Sequence, residues 1–156
     1  MVLKFSEKEP PLTKNPSILL KNFPYKLPKP YTLLLKKNDG GSLYYDFDYY
    51  DKNFEKTISG GIGVIFGLQC EDGDNLIVRY KKLPDFFPRN LVPFGENGGG
   101  NFICFDYRYD STTDNPPVVY WIHDAEKEKE ICTLAKDFEE FLSILREPEE
   151  NVAYNE

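Results

Sequence analysis

Residues 91–108 read LVPFGENGGGNFICFDYR, and the reading of this stretch decides the fold. A short extended run, Leu91-Val92-Pro93, leads to Gly98-Gly99-Gly100. An alternating run, Phe102–Tyr107, reads as a strand, with Asp106 and Arg108 at its far end. A phosphate loop needs GxxxxGK[ST], and a dinucleotide site needs GxGxxG between a strand and a helix. Here no Lys-Ser/Thr follows the glycines and the next element is a strand, so they read as a tight turn that needs positive φ. Asp106 and Arg108 lie two apart, which puts both side chains on one face of a strand. They read as a structural polar pair, with the alternative that Arg108 reaches a ligand.

The neighbouring segments follow from the same periodicities. Val118–Ile122 is five β-branched or aromatic residues in a row, as in a central strand. Ile62–Gly67 and Leu76–Tyr80 read as strands joined through Glu71-Asp72-Gly73-Asp74, whose Asp-Gly pair suits a hairpin. Asp110 to Pro117 is a loop by composition. Six of the twelve prolines fall in residues 1–30, so the start of the chain is an arm wrapping the domain, with a helical turn near Ser17–Lys21. Tyr31, Leu34 and Leu35 recur at helical spacing behind Pro30, a residue suited to a first helical position. Asn38-Asp39-Gly40-Gly41 stops that helix with a left-handed cap. In the last helix Leu134, Phe138, Phe141, Leu142 and Leu145 share one face, opposite Lys136, Asp137, Glu139 and Glu140, and Pro148 ends it.

At 156 residues the chain fits one domain, and 40% hydrophobic with 15% aromatic residues argues for a folded core. Common Gly and Pro favour a turn-rich α+β or β fold over a bundle. The net charge of −7 is uneven: the first forty residues carry eight Lys against Glu7, Glu9 and Asp39, so the remainder is strongly acidic. Such a body repels nucleic acid and anionic membranes and attracts basic partners, or else only confers solubility. Cys70, Cys104 and Cys132 form no CxxC pair, which argues against a zinc site and a disulfide framework and for reduced thiols. No residue pattern calls for a cofactor. The first residues lack the apolar stretch of a signal peptide, and no run approaches the roughly 18 apolar residues of a membrane span, so the expected location is cytoplasmic.

His123 is the only histidine, placed after Trp121 and beside Asp124. Catalysis would need a nucleophile and a base in reach, and neither GxSxG nor an active-site Cys signature accompanies it. His123 therefore does not read as a catalytic residue. The sharpest surface candidate is Tyr44-Tyr45-Asp46-Phe47-Asp48-Tyr49-Tyr50-Asp51. In a strand, Tyr45, Phe47 and Tyr49 face one way and Tyr44, Asp46, Asp48 and Tyr50 the other. That leaves an acidic face bearing tyrosines, which supply stiff contact area, with carboxylates complementary to a basic partner. Asp51 joins this set, and Asp110 and Asp114 in the later loop are further partner-binding candidates. A calcium reading of Asp46 and Asp48 lacks the glycine and terminal Glu of an EF-hand loop.

The order of segments resembles the SUKH superfamily, the group of fungal cell-wall-assembly regulators of the Smi/Knr type and many bacterial immunity proteins. The resemblance rests on Leu27-Pro28…Tyr31…Leu34-Leu35…Asn38-Asp39-Gly40-Gly41, on residues 91–108, on Pro117-Val118-Val119-Tyr120-Trp121-Ile122-His123-Asp124, and on Ala135…Phe138-Glu139-Glu140-Phe141-Leu142…Leu145. Two departures stand out: the region before Leu27-Pro28 is proline-broken, and Asn38-Asp39-Gly40-Gly41 has one residue more than the usual Asn-Gly-Gly. The resemblance implies an α+β domain with a central twisted, mostly antiparallel sheet, N-terminal helical segments and a C-terminal helix packed on it. It divides the chain into an arm over 1–26, a SUKH-like domain over 27–146 and an acidic tail over 147–156. It marks Gly99, Gly100, Asp106, Arg108, Trp121 and His123 as motif or pocket residues. It also implies a non-enzymatic module that neutralises a cognate toxin, often a nuclease, by direct protein binding, or alternatively a regulatory scaffold without a toxin partner.

Overall fold

Seven strands follow one another in chain order in one antiparallel sheet: β1 (Phe5–Lys8), β2 (Gly41–Asp51), β3 (Lys56–Ile65), β4 (Leu91–Glu96), β5 (Phe102–Asp106), β6 (Val118–Trp121) and β7 (Ile131–Ala135). Four short helices complete the α+β fold: α1 (Pro16–Leu19), α2 (Lys29–Lys37), α3 (Leu76–Lys81) and α4 (Phe138–Ile144). The computed structural model describes residues 2–148, so the acidic tail beyond Pro148 lies outside the described residues. No described helix is long and apolar enough to cross a membrane.

The sheet buries both faces unequally. On the first face Leu43, Tyr45 and Phe47 of β2 meet Val92, Phe94, Ile103 and Phe105, beneath Tyr31 and Leu35 of α2 and Phe138 and Phe141 of α4. Phe94 and Phe105 stack at 4.3 Å between ring centroids, and Tyr31 meets both edge-on. The second face carries a smaller cluster, Leu91, Cys104, Val119 and Trp121, covered by Phe87. β2 is joined to β3 by a hairpin over residues 52–55, and it curls back over the sheet so that Phe47 and Tyr49 each reach the Tyr120 ring at 5.0 Å. Gly60 permits this crossing: a Cβ there would lie 2.8 Å from Phe47 and 3.1 Å from both Tyr49 and Tyr120.

Several expectations hold and several change. β2 alternates as the sequence dictates, with Leu43, Tyr45, Phe47 and Tyr49 buried and Tyr44, Asp48 and Tyr50 exposed. β5 and the loop after it fall where expected, and β6 is internal, though it lies next to the edge rather than at the middle. Leu76–Tyr80, read as a strand, is helical. The Asn75 side chain caps it, accepting from the Ile77 and Val78 N–H groups at 3.0 and 3.2 Å, while Leu76 is anchored through Leu76 N–H to the Gly67 carbonyl at 2.8 Å. A cap and a tertiary contact outweigh the strand preference of a β-branched pair. Accordingly, the Asp72-Gly73 segment is a turn of 3-10 helix and not a hairpin.

The C-terminal helix is shorter than its periodicity suggests. Leu134 belongs to β7, an edge strand hidden by a bulge, since Val118 pairs with Ala135 but Val119 with Thr133. Asp137 starts α4 by accepting the Glu140 N–H at 2.8 Å, and Leu145 is already extended, so the helix ends before Pro148 can act. At the end of α2, Asn38 is extended, and the positive φ of Gly40 (83°) and Gly41 (140°) serves the entry into β2 rather than a helix cap. A Cβ on Gly40 would meet the Ile65 carbonyl oxygen at 2.3 Å. In the first residues, β1 pairs with the start of β2, an edge strand without an apolar alternation to reveal it.

Candidate functional site

The outward face of β2 presents Tyr44, Asp46, Asp48 and Tyr50, with the two tyrosines 67% and 54% exposed. Across the ladder Asp46 faces Gly61, Asp48 faces Ser59 and Tyr50 faces Thr57, so small residues leave the carboxylates and rings standing proud. The segment after α4 closes the other side: Asp46 and Arg146 exchange backbone hydrogen bonds, each 2.9 Å. The Arg146 guanidinium then donates to Asp48 and to the Ser59 hydroxyl, each at 2.9 Å. Asp48 is thus already paired, and Asp46 is the carboxylate of this face without an ion pair among the described residues. At the end near β1, Tyr44 borders a cleft with Lys4, Phe5 and Glu147, where Lys4 pairs with Glu147 at 3.1 Å.

Asp51 departs from the expected surface set. It is 3% exposed, and its carboxylate accepts from the Asn53 and Phe54 N–H groups at 2.7 and 2.9 Å, so it shapes the hairpin rather than meeting a partner. The buried hydroxyl of Tyr49 lies 3.3 Å from the same carboxylate, and burial, then that negative charge, pushes the phenol well above its ordinary value. Phe54, at the hairpin tip, is 68% exposed, although nothing in its local pattern distinguishes it from a turn residue. Asp110 and Asp114 are exposed but sit elsewhere. The Asp110 carboxylate accepts from Thr112, and the neighbouring Ser111 and Thr112 line a cleft with Ser17, Leu20 and Phe23.

The motif residues of the opening stretch do not converge on one pocket. Gly98 and Gly100 hold φ of 89° and 99°, as a tight turn demands. Asn97 organises that turn: its Oδ1 accepts from the Gly99 and Asn101 N–H groups, and its amide donates to the Tyr120 hydroxyl at 3.1 Å. The His123 ring lies against Gly100, with Nδ1 2.8 Å from Asn101 Oδ1 and Nε2 3.0 Å from Asp124. No nucleophile is hydrogen-bonded to the imidazole among the described residues. Trp121 stacks on Phe102 and tilts against Phe87, as a core residue of the second face.

Asp106 and Arg108 stand at the opposite end of β5 from the glycines. Arg108 Nε and Nη2 each donate to the Asp106 carboxylate at 2.9 Å, and the Arg108 N–H adds a third bond at 3.0 Å. That charge-assisted bond raises the guanidinium pKa further, while Asp106 itself is 4% exposed. The two side chains are paired, as their spacing suggests. A second buried carboxylate, Asp39, was not legible as a site: it accepts the Leu68 and Gln69 N–H groups at 2.7 and 2.8 Å and ties the end of α2 to the end of β3. Burial raises its pKa against the pull of those bonds. Among the described residues no cluster of His, Cys, Asp and Glu could hold a metal ion.

The family model described as SMI1 / KNR4 family (SUKH-1) matches residues 17–144. The chain is 31% identical over 143 residues to the SPbeta prophage-derived uncharacterized protein YokK of Bacillus subtilis (strain 168), covering 81% of this chain and 71% of that one. No solved structure matches the chain.

Proposed function

The chain belongs to the SMI1 / KNR4 family (SUKH-1), and from that premise we propose that it is a non-enzymatic immunity protein that binds and neutralises a cognate basic toxin domain, such as a nuclease. The observation that carries this reading is the outward face of β2, where two exposed tyrosines flank Asp46 and Asp48 on a rigid strand. Tyrosines held on a strand offer contact area at little entropic cost, and carboxylates between them select a cationic surface. The net charge of −7 steers a basic domain toward the protein and speeds association at low salt. His123 has no role in turnover under this reading; it braces the glycine turn through Asn101.

The reading is tested by co-expression with the products of adjacent genes, followed by titration of the captured domain. Tyr44→Ala or Tyr50→Ala is expected to weaken the complex about tenfold or more, as anchors at an interface do. Asp46→Asn should slow association chiefly at low salt. Should a demonstrated toxin complex be indifferent to all three changes, the β2 face is not the binding surface. If no adjacent product binds at all, the immunity role itself fails.

A further inference from the structure

On the second face of the sheet, beyond the cover given by Phe87, a groove of about 580 Å³ runs beside the edge strand β7. Its floor is apolar, made by Pro117, Val119, Ile131 and Ala135. Three cations converge on it from separate parts of the chain: Lys52 from the hairpin tip, Arg108 from the end of β5 and Lys136 from the residue after β7. The two carboxylates in the groove are engaged internally. Asp106 holds the Nε and Nη2 edge of Arg108, and Glu140 accepts the Lys136 N–H at 3.0 Å. Asp106 leaves Arg108 Nη1 without a partner among the described residues, and neither Lys52 nor Lys136 has an ion pair there. In a chain of net charge −7 this is a local inversion of sign.

The outer edge of β7 pairs with no further described strand, although the end of β2 packs close to it near Cys132. The Ile122 N–H donates to the Glu130 carbonyl at 2.8 Å, and Tyr120 faces Cys132 two residues further along the ladder. In an antiparallel pair the bonded positions alternate, so Glu130 and Cys132 turn their backbone groups toward β6. Those of Ile131 and Thr133 therefore turn outward, and no other described strand takes them. Ile131 and Thr133 also send their side chains into the groove.

We infer that this groove docks an extended acidic segment of a partner protein, which adds as an eighth strand to β7. Its backbone pairs with Ile131 and Thr133, alternate β-branched side chains lie on the apolar floor, and its carboxylates meet Lys52, Arg108 and Lys136. Tyr109, 84% exposed with the Arg108 guanidinium 5.0 Å from its ring centroid, forms the rim. The surface uses none of the residues of the β2 face, so this inference and the immunity reading stand or fall separately.

The test uses the whole protein and three sets of extended peptides in which Val or Thr alternates with Glu, Ser or Lys, followed by amide shifts in NMR spectra and by titration. The Glu set is expected to bind most tightly and to shift Arg108, Ile131 and Thr133. The exposed double variant Lys52→Glu/Lys136→Glu is expected to weaken it on the order of tenfold. Thr133→Pro, which removes an edge N–H, should abolish binding; should that variant not fold, N-methylation of the peptide on its pairing edge gives the same result from the ligand side. Equal binding of the three sets overturns the proposal, as does a Glu set unaffected by the double charge reversal. So does a dimer in solution that Thr133→Pro separates, since the groove would then belong to a second copy of the chain.

Discussion

Gly60 offers the sharpest stability prediction, because its neighbours are rings with nowhere to go. A methyl group at residue 60 would stand 2.8 Å from Phe47 Cε1, 3.1 Å from Tyr120 Cε2 and 3.1 Å from Tyr49 Cε1. The three rings are themselves packed edge-on, with centroids 5.0 Å apart for Phe47–Tyr120 and Tyr49–Tyr120 and 6.2 Å for Phe47–Tyr49. None can yield without disturbing the others. Overpacking of this kind costs about 1–3 kcal/mol. Gly→Ala also removes freedom from the unfolded chain, which offsets about 0.4–1 kcal/mol. The net loss for Gly60→Ala is therefore about 0–2.6 kcal/mol, centred on about 1.3 kcal/mol, and that centre is worth roughly 3–5 °C in Tm for a chain of this size. Gly61→Ala is the milder comparison: its Cβ would meet the Tyr45 carbonyl oxygen at 3.3 Å and Asp46 at 3.5 Å, a tight contact but looser than the 2.8 Å at residue 60, so it should cost less. Thermal unfolding followed by far-UV and near-UV circular dichroism reads both. Phe47→Leu in the Gly60→Ala background should recover part of the loss, giving a favourable coupling in the double-mutant cycle. A Gly60→Ala variant as stable as the parent would refute the overpacking at residue 60, as would a larger cost for Gly61→Ala.

Two further outcomes follow from the same structure. Cys70 is held by burial, and secondarily by the Asp39 charge, at about 11 rather than its ordinary 9.0, so its alkylation by iodoacetamide should remain slow at pH 8 and climb only as the pH nears 11. The folded thiol keeps its proton where the unfolded one has released it, so this group's contribution to stability falls as the pH rises from about 9 to about 11; rapid labelling of the folded protein at pH 8 would contradict this. Arg146→Ala removes a half-exposed ion pair with Asp48 and should cost less than about 1 kcal/mol by thermal unfolding, since solvent screens the pair. The same change frees the Asp48 carboxylate, so association with a basic partner should accelerate at low salt; slower association would show that Arg146 itself belongs to the contact.

Much of the site was legible because strand periodicity is local. Two-residue alternation in β2 separates Tyr44, Asp46, Asp48 and Tyr50 from Tyr45, Phe47 and Tyr49 whatever the rest of the chain does. The Asp106–Arg108 pair and the glycine turn were legible for the same reason, since each is settled within a few residues. Asp51 shares the parity of Tyr45, Phe47 and Tyr49, so alternation places it inward with them; its charge, which the hairpin N–H groups satisfy, is what suggested a surface position.

The sequence by itself determined the α+β class, the family, the faces of β2 and the positions of β5 and β6, since hydrophobic periodicity and glycine punctuation record local backbone geometry. Only the tertiary structure decided that residues 76–81 form a helix and 131–135 an edge strand, because segments this short take their form from a cap or a neighbouring strand. It alone brought Arg146 to Asp48, 98 residues away in the chain, and Lys52, Arg108 and Lys136 to one groove. Charges carry no period, and the chain must close on itself before they acquire neighbours.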